Sequence, residues 1–120
     1  MNDLTNKVIG AAIEVHRILG PGLLESIYEE ALCTELSLRN IFYERQKEVE
    51  VIYKGKSIKG QRIDLLIDRQ LVVELKAVAS MPAAARAQTL SYLKATDLKR
   101  ALLINFSETR LVDGVKRISL

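Results

Sequence analysis

The sequence predicts a mixed α/β fold of the α+β sandwich type, a mixed sheet flanked by helices in the order ααβββαββ. Three observations carry that expectation. Helical and two-residue apolar periods alternate along the chain. A three-strand meander stands between two leading helices and a third helix. Finally, 120 residues that are 48% hydrophobic and 28% charged suit a single folded domain, 1–120.

The first helix covers residues 4–19, where Val8, Ala12, Val15 and Leu19 recur at helical spacing. Gly20-Pro21-Gly22 ends it, because glycine suits a helix C-cap and proline cannot continue the ladder. A second helix covers residues 24–38, with Leu24, Ile27, Tyr28, Ala31, Leu32 and Leu36 on its apolar side. From Glu44 to Tyr53 the period becomes two, and Lys54-Gly55-Lys56 reads as a hairpin turn. Residues 60–67 and 71–76 form the next strand pair about the turn Asp68-Arg69-Gln70. Pro82 opens an alanine-rich third helix. Residues 101–106 read as a buried strand and 115–118 as a short final one.

Folding the second hairpin about Arg69 sets Asp64 opposite Glu74 and Arg62 opposite Lys76. Alternation then places Ile63, Leu65, Ile67, Leu71, Val73 and Leu75 on one wholly apolar face. Like charges directly opposite one another destabilise a sheet. Two readings account for them. A divalent cation shared by Asp64 and Glu74 relieves the repulsion, with Lys76 beside it for a water or a phosphate. Alternatively the face is exposed and laced with diagonal salt bridges, Asp64 to Lys76 and Glu74 to Arg62.

Other candidates are weaker alone. Glu25 lies one turn from Tyr28, at the edge of the apolar stripe. Gln88 and Tyr92 are four apart on the third helix and share a face. His16, the one histidine, reads as a packed or surface residue, and Cys33 as an inert small hydrophobe. One cysteine excludes an internal disulfide and suits a reducing cytoplasm. Neither a nucleophilic triad nor a glycine-rich phosphate loop is supported. No stretch approaches the ~20 apolar residues of a membrane span, and the first residues do not read as a signal peptide. Net charge is +3, with basic groups at Lys54, Lys56, Lys59 and Arg62 and at Lys94, Lys99 and Arg100. Such clusters suit a solvated surface or a polyanion track.

Asp64 followed by Glu74-Leu75-Lys76 resembles the metal signature of the PD-(D/E)xK nuclease superfamily. Glu25 before the meander is similar to its accessory acid, and Gln88 with Tyr92 to its QxxxY helix. Gly22-Leu23-Leu24-Glu25-Ser26-Ile27-Tyr28 matches the motif of the small bacterial GxxExxY proteins. The resemblance implies a restriction-endonuclease-like core in which Glu25, Asp64 and Glu74 hold Mg²⁺ or Mn²⁺, with the Leu75 carbonyl as an extra ligand. It implies that Lys76 serves the attacking water and that Gln88, Tyr92 and Arg62 support the substrate or the site. Ile63 replaces the proline of the superfamily's name. Ala85 stands where that helix often carries a histidine.

The expected function is a metal-dependent nuclease acting on nucleic acid, DNA above RNA, with Lys54, Lys56, Lys59 and Lys94 tracking the backbone. The alternatives are a catalytically silent binding or assembly module on the same fold and a non-enzymatic regulator. A homodimer is the arrangement that restriction-type enzymes suggest by analogy.

Overall fold

In a computed structural model, residues 3–120 are described. Helices α1 (Asp3–Leu19) and α2 (Glu25–Leu38) precede strands β1 (Tyr43–Tyr53), β2 (Lys56–Ile67) and β3 (Leu71–Lys76). Helix α3 (Ala83–Thr96), strand β4 (Arg100–Asn105), a 3-10 turn (Leu111–Gly114) and strand β5 (Val115–Ser119) follow. The strands form one sheet in the order β1-β2-β3-β4-β5. Neighbours are antiparallel except β3 and β4, which α3 connects in parallel. A parallel pair needs such a crossover, because no tight turn can reverse the chain twice.

Each sheet face has its own core. On one, Leu65, Ile67, Leu71, Val73, Leu75, Leu102 and Ile104 meet Val8, Ala12 and Val15 of α1 and Tyr28, Leu32 and Leu36 of α2. On the other, Leu66, Val72, Ala101, Leu103 and Ile118 meet Ala85, Tyr92 and Leu93 of α3. β3 is buried from Leu71 to Leu75, as expected of a strand covered on both sides.

Four expectations are corrected. Ile63 packs with Val49 and Leu66 on the α3 side, not with Leu65. Strict alternation fails there, where β2 loses its β3 neighbour and the facing β1 strand takes a left-handed residue at Gln46 (φ +53°). Strand β2 pairs with β1 along most of its length, but with β3 only from Leu65 to Ile67. For the same reason Arg62 does not face Lys76; it pairs with Glu48 of β1. On α2 the buried stripe is Tyr28, Glu29, Leu32, Cys33 and Leu36, whereas Leu24 and Ile27 are exposed. That stripe has helical spacing too, and it tolerates Glu29 because an arginine comes to meet it. Leu19 is also exposed, at the end of α1.

Candidate functional site

Where the β2–β3 ladder ends, two carboxylates replace the missing backbone partners. The Asp64 amide donates to Glu74 Oε2 at 2.8 Å, and the Leu75 amide donates to Asp64 Oδ2 at 2.8 Å. Each acid thus satisfies a donor on the other's strand, which a buried backbone requires. One oxygen of each stays less committed. Asp64 Oδ1 receives only a long 3.4 Å contact from Gln46 Nε2, and Glu74 Oε1 accepts no hydrogen bond among the described residues.

The electrostatics are those of a crowded pair. Burial pushes the Glu74 carboxyl up to about 8, and the neighbouring Asp64 charge adds to that. Burial also raises Asp64, against the pull of the Leu75 N–H. Desolvation and like charge both favour the neutral acid. Among the described residues no ion pair links Asp64 or Glu74 to Lys76 or Arg62. The diagonal salt bridges are therefore absent. Lys76 is half-buried at the end of β3, and its charge is felt by Asp64, Glu74 and Glu25.

Glu25 opens α2 at the rim of this cluster. Its carboxyl is raised by partial desolvation first and by the Asp64 charge second, which sets it near the pair without a direct bond. The preceding loop explains its placement. Gly20 and Gly22 take φ of +70° and +103°, left-handed values that glycine allows. The Tyr28 hydroxyl donates to the Gly20 carbonyl at 2.5 Å and accepts from the Leu23 amide at 3.1 Å. Its ring, fully buried, stacks on Phe106 with centroids 4.5 Å apart. Tyr28 thus anchors the loop that presents Glu25.

Sequence reasoning missed a second layer. Glu29, one turn beyond Glu25, is 8% exposed and bound by Arg45 Nε at 2.7 Å. Gln46 Nε2 donates to Glu29 Oε1 at 3.0 Å and reaches Asp64 Oδ1. Gln46 holds a left-handed φ of +53°, a conformation costly for a residue with a side chain. The available signal was the i, i+4 spacing of Glu25 and Glu29; the partners lie 16 and 17 residues away.

The remaining candidates are dispersed. Tyr92 is buried on α3, and its hydroxyl is pushed up to about 12 by burial and then by the charges of Glu74 and Asp64. It therefore flanks the acids. The Gln88 side chain is exposed and makes no hydrogen bond among the described residues. Arg62 is exposed, with a 3.5 Å contact to the Gln46 carbonyl. Leu75 is buried, in the parallel ladder opposite Ile104. Lys54, Lys56 and Lys59 line the β1–β2 hairpin, and Lys94 lies on α3 beside it. His16 is packed, with Nε2 2.8 Å from the Glu108 carbonyl, and Cys33 is a buried free thiol.

The donors are hard oxygens, which fit Mg²⁺ or Mn²⁺. Among the described residues, no three His, Cys, Asp or Glu side chains converge on one point. The residues therefore fit an ion held by one or two carboxylates and completed by water and substrate oxygens, as Mg²⁺ commonly is.

A family model described as the PD-(D/E)XK nuclease superfamily matches residues 2–118. No curated protein matches the chain. The crystal structure of SSO0001 is similar, with a TM-score of 0.50 and 17% identity over 98% of this chain and 78% of that one. At that identity the likeness concerns the fold alone. No helix among the described residues is long and apolar enough to cross a membrane.

Proposed function

The chain belongs to the PD-(D/E)XK nuclease superfamily, and from that premise we propose that it is a Mg²⁺- or Mn²⁺-dependent phosphodiesterase acting on DNA. The observation that carries the reading is the reciprocal bonding of Asp64 and Glu74. A half-buried and a buried acid are fastened together by backbone amides, although their charges repel and, among the described residues, no cationic side chain pairs with either.

In this reading Asp64 and Glu74 would hold the cation, with Glu25 at the start of α2 and the Leu75 carbonyl as the further candidate oxygen donors. When bound, the ion supplies Lewis-acid polarisation of the phosphate and a water of lowered pKa. Lys76 orients the attacking water and faces the charge that develops on the phosphate. Tyr92, Gln88 and Arg62 support the substrate, and Lys54, Lys56, Lys59 and Lys94 follow its backbone. Kinship with the GxxExxY proteins belongs to the same proposal, supported by the loop-anchoring role of Tyr28. So do a cytoplasmic setting and a homodimer that cuts both strands.

The test is a panel of single-stranded, double-stranded and branched DNA and RNA with Mg²⁺ or Mn²⁺. Wild type should cleave DNA, and EDTA or Asp64→Asn should stop it. A silent binding module is the second reading, favoured by the lack of a three-acid convergence among the described residues and by a buried Ala85 on α3. Metal and nucleic-acid binding without cleavage anywhere in the panel would establish that reading instead.

A further inference from the structure

The β1–β2 hairpin runs on well past the rest of the sheet. β3 covers β2 only from Leu65 to Ile67, so the ribbon beyond Gln61 has no strand partner except its own other half. Residues 51–60 are exposed on both faces. Lys54 and Gly55 close the tip with φ of +49° and +81°, the two consecutive left-handed residues of a tight hairpin turn. A register shift between Val49 and Val51, opposite Gly60 at φ +129°, sets the outer ribbon off from the inner one. Ile52 and Tyr53 are each 60% exposed near the tip.

The charge pattern changes at the same place. Residues 43–50 mix Glu44, Glu48 and Glu50 with Arg45 and Lys47, whereas residues 51–62 carry Lys54, Lys56, Lys59 and Arg62 and no acid. A second copy of the ribbon would meet it with like charge. A polyanion complements it, and Lys94 on α3 lies across a shallow groove from Ile52 at the ribbon's base, where Glu50 also lines the groove.

We infer that the β1–β2 hairpin beyond Val49 is an arm that enters the major groove of duplex DNA. This rests on the nuclease reading and names its substrate as double-stranded. A two-stranded ribbon fits a major groove about 12 Å wide, where apolar side chains such as Ile52 contact thymine methyls and lysines reach both walls. Seven residues separate Asp64 from Ser57 along β2. At about 3.4 Å per residue that is at most about 24 Å, or about seven base pairs from the scissile phosphate. The arm therefore holds duplex to one side of the cut.

Binding in EDTA, where nothing is cleaved, tests this by anisotropy on one DNA sequence as duplex and as single strand. The variant Lys54→Gln/Lys56→Gln/Lys59→Gln changes exposed side chains and leaves the hairpin turn intact. For duplex its log K against log salt slope should fall by about 2.7, so that about 40-fold less affinity is lost between 50 and 200 mM salt. For single strands the slope should not change. Ile52→Ser with Tyr53→Ser should weaken duplex binding at an unchanged slope. Trimming the duplex to fewer than about seven base pairs on one side should reduce wild type to the affinity of the triple variant. An unchanged duplex slope in the triple variant, or an equal fall on both DNA forms, overturns the arm while leaving the nuclease reading standing. Wild type that binds neither form overturns the nuclease reading itself.

Discussion

Lys76 and Tyr28 show how differently single residues serve this site. Lys76 has no ion-pair partner among the described residues and stands beside three acids, so removing it should spare the metal and harm the chemistry. Lys76→Ala should keep Mg²⁺ affinity by calorimetry while cleavage falls on the order of 10²–10³-fold, the usual loss for a charge that acts in the transition state. Tyr28→Phe should do the reverse. It leaves the Gly20 carbonyl and Leu23 amide without their hydroxyl partner, at about 1–3 kcal/mol in urea unfolding, and it loosens the presentation of Glu25. The nearness of Asp64 and Glu74 could be read directly, because a short turn brings their strands together, although the paired ladder stops at Leu65 and Val73. Glu29 and Gln46 could not, since their roles depend on contacts that only the folded chain creates.

At the scale of elements, apolar periods located every helix and strand to within a few residues, because burial on one face imposes those periods. They failed where a strand loses one of its two neighbours, as at Ile63, or where a buried charge is offset by a distant one, as at Glu29. Helix α3 carries the clearest consequence. Ala85, the position where the sequence resemblance leads one to expect a histidine, is 5% exposed in the cluster that holds Val72, Leu93 and Leu103, and its carbonyl accepts from Thr89 Oγ1 at 2.8 Å. A histidine there would set a larger, polar ring into this buried cluster. Ala85→His should therefore destabilise the protein by about 1–3 kcal/mol of overpacking, measured by denaturant unfolding, and leave cleavage no faster. A gain in rate at unchanged stability would show that the helix can shift to admit the ring.

For the whole molecule, the strained acids link stability to pH and to metal. Folding raises the Glu74 carboxyl from 4.5 to about 8, so the metal-free fold binds a proton that the unfolded chain releases. The associated stability is present in full below about 4.5 and is lost as pH rises through about 8. In EDTA, the melting temperature of wild type should fall as pH rises across that window, and Glu74→Gln should flatten the decline. On the proposed function a divalent cation should act in the opposite sense, by binding the ionised pair only in the folded state. At 100 times its Kd it should stabilise the protein by about 2.7 kcal/mol, most strongly at the alkaline end where the unliganded fold is weakest. Asp64→Asn removes one of the two repelling charges and a ligand together. It should raise metal-free stability at high pH and abolish most of the Mg²⁺ response. The substituted asparagine can still accept the Leu75 amide through its side-chain carbonyl oxygen, so the β2–β3 junction survives the change. An equal Mg²⁺ response in wild type and Asp64→Asn, followed by calorimetry across the same pH range, would remove the cation from this pair of acids.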